Sequence, residues 1–191
     1  MSKAVLISIQ PKWCELIANG KKTVEVRKTK PKLKPPFKCY IYCTKDKNNH
    51  FWTGKRYSYA DDHSHNAFDK DGNGKVIGEF ICDSIIKINY NRDGYGLDGE
   101  AGIIARSCVP EKELYHYLQG KTPYLWHISD LVIYDKPREL NEFYRECGGI
   151  DDTGLCYECD KVVGEECDCA VNYELHFTRP PQSWCYVEQE G

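Results

Sequence analysis

The chain has 191 residues, a length that fits one domain, and 41% of them are hydrophobic, which is enough to build a buried core. Its net charge of −3 excludes a strong overall positive field of the kind that many nucleic-acid-binding proteins carry. No apolar run approaches the roughly 20 residues of a membrane-spanning helix, and the first apolar stretch is too short for a signal peptide. We therefore expect a cytoplasmic protein without a membrane partner.

The first half of the chain predicts three strands with one helix between the first two. Pro11 is suited to the first turn of that helix, and Asn19-Gly20 is typical of a helix end. The segment 30–37 contains three prolines and is expected to be irregular. Alternating or β-branched runs predict strands at 3–9, 23–28 and 38–44.

The second half predicts three further strands, a short helix and two insertions. The polar segment 50–74 is expected to be a loop insertion, either a long loop or a mobile hairpin, and 89–102 is turn-rich. Asp135-Lys136-Pro137 is expected to stop the fifth strand. The remaining elements are strands at 75–88, 124–134 and 176–188, a helix at 110–120, and one or two helical turns at 140–147.

These elements predict a mainly β (α+β) fold, a small open β-barrel with peripheral short helices. We expect one domain over 1–191, interrupted by the 50–74 insertion and by a cysteine-rich, acidic insertion at 147–170.

The segment from Gly20 to Arg27 concentrates charged side chains at the start of a strand. Because side chains alternate along a strand, the two valines of this segment face the core, and Thr23, Glu25 and Arg27 share the other face, beside Lys22. This pattern favours a cleft for a polar, anionic ligand. The alternative is an ordinary half-buried strand on which Glu25 and Arg27 simply pair.

Each of these residue types brings a different chemistry. A guanidinium such as that of Arg27 grips phosphate or carboxylate through two parallel hydrogen bonds. Lys22 supplies a point charge, or a base if burial makes it neutral, and Glu25 accepts hydrogen bonds or moves a proton. Trp13 and Trp184 are candidates for stacking on a base, with ordinary core packing as the alternative for each.

Several segments together resemble the ASCH (activating-signal-cointegrator homology) domain family of the PUA-like superfamily, in its bacterial and phage form. Gly20-x-Lys22-x-x-Glu25-x-Arg27 is similar to the G-x-K-x-x-E-x-R signature of that family. The other segments that resemble family members, in order along the chain, are 8–13, 76–80, 126–131 and 180–188.

This resemblance implies a PUA-like open barrel with a cleft beside the first helix, and RNA or a modified nucleoside as the ligand. Some members are amidohydrolases of acylated cytidine that use a Lys, a Thr three residues later and a distant Glu. Lys22 matches that Lys, but Glu25 stands in place of the Thr. The residues that we expect to bind the ligand are Trp13, Lys21, Lys22, Thr23, Glu25, Arg27, Ser183 and Trp184.

Three functions fit this pattern. The leading hypothesis is binding of RNA or a modified nucleoside in the cleft. The rival is a hydrolase in the same cleft, either an amidohydrolase of acylated nucleosides or a ribonuclease, with Lys22 and Glu25 as catalytic residues. The third is a protein-interaction module that uses the cysteine-rich segment as its contact surface.

Five of the eleven cysteines lie within 23 residues near the C-terminus. The C-x-x-C spacing of Cys156 and Cys159 is typical of half a zinc site, and Cys167 and Cys169 offer a less regular second pair, with Cys147 as a substitute ligand. The segment is too polar to fold around its own apolar core, so a structural zinc ion would hold it together. The alternative is a loop with free or disulfide-linked thiols.

We predict one zinc ion per chain, held by four of these thiolates. Elemental analysis of protein purified without added metal measures it. A zinc content near zero, together with unchanged folding in the presence of a chelator, would contradict the prediction and leave a plain loop.

Overall fold

A computed structural model describes residues 3–58, 66–88, 101–146 and 174–189. Within these ranges the strands are β1 (Lys3–Ile9), β2 (Val24–Arg27), β3 (Phe37–Cys43), β4 (Trp52–Ser58), β5 (Asn66–Asp71), β6 (Val76–Cys82), β7 (Ile85–Lys87), β8 (Tyr124–His127), β9 (Ser129–Arg138), β10 (Tyr144–Glu146), β11 (Glu174–His176) and β12 (Trp184–Glu188). The α-helices in the same ranges are α1 (Pro11–Ala18), α2 (Ala101–Ala105) and α3 (Glu111–Leu118), and a 3-10 turn spans Leu140–Glu142.

The largest sheet has five strands in the order β12-β1-β3-β6-β9. β1 runs parallel to β3, and the other neighbours are antiparallel. Both faces of the sheet are buried, so β1 is apolar at nearly every position: Val5 and Ile7 pack on the side of α1, whereas Ala4 and Leu6 pack against Phe143 and its neighbours.

The second sheet has three strands in the order β2-β8-β7. Val24 and Val26 of β2 pack against Leu114 and Leu118 of α3. The alternate residues of β2 take the opposite face, where Glu25 lies directly across from Trp126 of β8. The two-residue period of the strand thus separates a core face from a charged face, as the sequence predicts.

The chain passes from the first sheet to the second at Asp83 and Ser84. We expected one strand over 75–88, but β6 ends at Cys82 and β7 pairs with β8 instead of continuing along β3. The backbone N–H of His127 donates to the Ser84 carbonyl (3.0 Å), and the His127 ring contacts the Asp83 carboxylate (2.7 Å). These contacts with a distant strand redirect the chain, and no local sequence pattern predicts them.

The expected stop at Pro137 is wrong, because β9 continues to Arg138. β9 is an edge strand of the five-stranded sheet, and an edge strand tolerates a proline because its outer side needs no ladder of N–H donors. A second difference is the short helix α2, which begins at the end of the predicted turn-rich segment 89–102.

The predicted insertion at 50–74 contains two paired strands, β4 and β5, as the hairpin alternative proposed. The Thr53 hydroxyl donates to the Tyr134 carbonyl (2.9 Å) and ties β4 to β9. Residues 59–65 and the whole cysteine-rich segment 147–170 lie outside the described residues.

The fold is mainly β with short helices, as predicted, and no closed barrel forms among the described residues. Within the described ranges, no strand pairing joins the five-stranded sheet to the three-stranded sheet. In the same ranges, no helix is long and apolar enough to cross a membrane.

Candidate functional site

A cavity of about 370 Å³ opens between α1, β2 and α3. The motif residues form its charged floor, and side chains from both helices form its sides. Its lining residues are Ser8, Ile9, Gln10, Trp13, Lys22, Glu25, Val26, Arg27, Thr44, Val109, Glu113, Leu114, Tyr117 and Gln182.

The end of α1 places Lys22 in this cavity. Gly20 follows the helix with φ +74°, a left-handed conformation that glycine adopts without strain, and its N–H donates to the Ile17 carbonyl (2.9 Å). The Lys22 N–H then donates to the Leu16 carbonyl (2.9 Å). These bonds turn the chain back along α1 and point it into β2.

Lys22 is almost fully buried, with 1% of the residue exposed. Its Nζ lies 3.1 Å from Glu25 Oε2 and donates to the carbonyl oxygens of Val24 (3.0 Å) and Ser107 (2.7 Å). An ammonium group has three N–H donors and no acceptor, so these three oxygens use its full hydrogen-bonding capacity.

Glu25 and Arg27 complete a buried network, with 6% and 7% exposed. Arg27 Nη2 lies 3.0 Å from Glu25 Oε1 and donates to the Ser8 carbonyl (2.6 Å), while Nη1 donates to Ser183 Oγ (3.3 Å). Arg27 Nε is buried without a hydrogen-bond partner in the described part of the chain. Arg27 therefore keeps an unused donor, whereas Lys22 has none.

Two aromatic side chains flank this network on separate helices. Trp13 of α1 is partly buried, and Lys22 Nζ lies 5.3 Å from the centre of its ring. Tyr117 of α3 keeps 38% of its surface exposed, and Lys28 Nζ lies 4.7 Å from its ring centre. Rings placed in this way offer flat apolar surface next to charge.

The hydroxyl of Tyr117 faces the network. Burial is the largest effect on the pKa of Tyr117 and raises it, and the Glu25 carboxylate raises it further. The charge of the Arg27 guanidinium lowers this pKa, as do hydrogen bonds with the Lys28 backbone and the Arg27 side chain. Because the net effect is upward, Tyr117 stays neutral at physiological pH and keeps an O–H donor.

An exposed ion pair bridges the two helices. Lys12 Nζ of α1 lies 2.9 Å from Glu113 Oε2 of α3, and 4.4 Å from the centre of the Trp13 ring. With about half of each side chain exposed, this pair contributes little to stability, in contrast to the buried network.

The structure brings half of the predicted ligand residues together in the cavity, namely Trp13, Lys22, Glu25 and Arg27. The other half do not line it. Lys21 is exposed, and Thr23 Oγ1 accepts a hydrogen bond from Arg106 Nε (3.0 Å). Ser183 Oγ accepts a hydrogen bond from Arg27. Trp184 Nε1 donates to Thr29 Oγ1 (3.0 Å), and the Trp184 ring packs on Trp126 and Tyr186.

Sequence reasoning missed several lining residues, above all Tyr117. Its spacing with Leu114 and Leu118 marks it as a core residue of an amphipathic helix, and only the packing of α3 beside β2 places it at the cavity. No sequence pattern marks three further lining residues as functional, because polar side chains are ordinary at the ends of strands and helices. These residues are Gln10, Thr44 and Gln182.

The predicted zinc ligands all lie in the segment outside the described residues. Among the residues that the structure describes, no group of three His, Cys, Asp or Glu is placed to hold a metal ion. Burial raises the pKa of the core thiols of Cys14 and Cys39, so both remain neutral thiols rather than reactive thiolates.

The comparisons with known proteins agree with this architecture. The sequence pattern of the ASCH domain matches residues 7–119, which is more than half of the chain. The chain therefore belongs to the ASCH domain family, a PUA-like family that is usually linked to RNA binding. No curated protein matches the chain in sequence.

Solved structures of one ASCH protein show the same fold. The crystal structure of ASCH from Zymomonas mobilis is 16% identical, with a TM-score of 0.51 over 97% of this chain and 88% of that chain. A tyrosine-to-phenylalanine variant of that protein is also 16% identical, with a TM-score of 0.52 over 98% of this chain and 92% of that chain. At this identity the likeness concerns the fold alone.

The buried network predicts that Glu25→Gln lowers the free energy of unfolding by about 3–5 kcal/mol, because it leaves two buried cations without their carboxylate. Denaturant unfolding measures the change. The matched control is Glu113→Gln, which breaks the exposed pair with Lys12 and should cost less than about 1 kcal/mol. Equal losses in both variants would contradict a structural role for the network.

Proposed function

We propose that the cavity binds a base of RNA or of a free, modified nucleoside. The observation that carries this proposal is the combination, in one cavity, of two aromatic rings and a buried Lys22–Glu25–Arg27 floor. Aromatic rings stack on the face of any base, and the polar groups beside them meet its edge.

The size and the free polar groups of the cavity support this proposal. About 370 Å³ lies in the lower part of the range of small-ligand pockets, roughly 300–1,000 Å³. The side chains of Gln10, Gln182 and Thr44 line the cavity and form no hydrogen bond within the described residues. An amide carries donors and an acceptor, which suits the mixed edge of a nucleobase.

The charge of the floor favours a ligand with acceptor or anionic groups. The buried network contains two cations and one carboxylate, and both carboxylate oxygens are already paired. A neutral apolar ligand would leave the positive excess uncompensated, whereas a base carbonyl or a phosphate oxygen reduces it.

Trp13→Ala should weaken the binding of cytidine, a mononucleotide or a short single-stranded RNA by about 1–3 kcal/mol, because a stacking surface is lost. Calorimetric titration measures the affinity. Trp13 is a sharper target than Arg27, whose guanidinium also holds the Ser8 carbonyl and Glu25.

The matched control is Trp52→Ala. Trp52 lies on β4, is 49% exposed and does not line the cavity, so this variant should bind as the wild type does. Unchanged affinity in Trp13→Ala, or an equal loss in Trp52→Ala, would count against the cavity as the binding site.

Hydrolysis in the same cavity is the second candidate. The observation in its favour is the 3.1 Å contact between Lys22 and Glu25, the two proposed catalytic residues. A basic lysine, however, needs a free lone pair, and three acceptors surround this Nζ. The Ser8 hydroxyl donates to the Pro181 carbonyl (2.6 Å) and is not held ready as a nucleophile.

We therefore expect no hydrolysis of N4-acetylcytidine above the uncatalysed background. Chromatography of the nucleoside after incubation with excess protein measures it. Product that increases with protein concentration, persists in Trp52→Ala and disappears in a folded Lys22→Met variant would instead support the hydrolase.

A further inference from the structure

Immediately after the motif, the segment from Lys28 to Pro36 presents a row of lysines. Lysine occupies every second position from 28 to 34, and no acidic residue interrupts the row. We call Lys28, Lys30, Lys32 and Lys34 the lysine track. Lys28 is partly exposed, and the other three are exposed.

The residues between the lysines hold this segment against the protein. The Thr29 hydroxyl accepts from Trp184 Nε1 (3.0 Å), Pro31 is buried, and Leu33 packs on the main core. The backbone N–H of Lys32 also donates to the Tyr186 hydroxyl (2.7 Å). The segment is irregular in structure, yet it is anchored along its length, so its lysines stay on the outer side.

Within the described residues, ion pairs do not neutralise the charges of the lysine track. None of the four lysines forms an ion pair in the described part of the chain. By contrast, Lys38, the next lysine along, pairs with Glu79 at 2.9 Å. Four cations in one row, without an ion pair to a described residue, form a local positive field on a chain whose net charge is negative.

The lysine track begins at the cavity. Lys28 directly follows Arg27 of the floor, and its Nζ lies over the ring of Tyr117 at the cavity wall. Successive lysines of the track are two residues apart, at most about 7 Å along the chain. This spacing is comparable to that of successive phosphates in an extended single strand.

We propose that the lysine track binds the sugar-phosphate backbone of a single-stranded RNA that leaves the cavity. The position of the first nucleotide rests on the function proposed above for the cavity; the contact of lysines with phosphates does not. A single-stranded RNA can contact the cavity and the lysine track together. A flat anionic membrane surface can contact only the lysine track.

The test compares the salt dependence of binding for a single-stranded RNA of about eight nucleotides and for a mononucleotide. The variant replaces Lys30, Lys32 and Lys34 by Gln and retains Lys28, which contacts Tyr117. For the RNA, the slope of log affinity against log salt should fall in magnitude by about 2, because each phosphate contact of a single strand contributes about 0.7. Mononucleotide affinity should stay within about twofold, since salt screens distant charges.

Two further variants keep the test specific. Replacing the same three residues by Arg keeps their charge and should restore the slope. Replacing Lys47, Lys121 and Lys136 by Gln removes equal charge at exposed positions outside the track and should leave the slope unchanged.

The proposal for the lysine track would be overturned if the salt slope of RNA binding is unchanged in the Gln variant, or falls equally in the control variant. This holds even if the mononucleotide still binds in the cavity. Track-dependent binding to phosphatidylserine vesicles without binding to RNA would overturn it as well. Conversely, a track-dependent RNA slope without any mononucleotide binding would support the track and reject the cavity proposal.

Discussion

The buried contact of Glu25 with both Lys22 and Arg27 is the interaction on which the rest of the site depends. Each partner of this network also binds a carbonyl from a different part of the chain, Ser107 for Lys22 and Ser8 for Arg27. Desolvating three charges is costly, and only a complete set of partners offsets that cost. The network therefore fixes β2 against the first strand and against the segment before α3, and so defines the floor of the cavity.

The floor of the cavity and the rest of its lining differ in how many polar groups remain free. The floor groups use most of their hydrogen bonds within the protein, so they set the charge and shape that a ligand meets. The lining side chains that remain available are the rings of Trp13 and Tyr117 and the amides of Gln10 and Gln182. In the proposed binding mode, specificity would then depend on these side chains, because their substitution does not break the network.

Local patterns suffice where the determining residues are neighbours in the sequence. A nearly continuous apolar run predicts β1, alternation predicts β2, and Pro11 and Gly20 mark the ends of α1, because these signals act within a few residues. Local patterns fail where strand pairing between distant segments determines the structure. One example is the change of sheet after Cys82, and another is Pro137, which an edge strand tolerates. The motif could be predicted as a charged face, but the contribution of Tyr117 depends on how α3 packs.

The last strand of the described chain closes the site. β12 pairs with β1 and places Glu188 opposite Lys3. Just before β12, the Ser183 carbonyl accepts a hydrogen bond from the Ser8 N–H, and Ser183 Oγ accepts one from Arg27 of the floor. These contacts close a loop of nearly the whole chain, which is entropically unfavourable and slow to form. During synthesis, the N-terminal strand and the motif leave the ribosome long before their C-terminal partners exist. The cavity is thus among the last features to be completed, and it takes its final shape only when the last of these strands has docked.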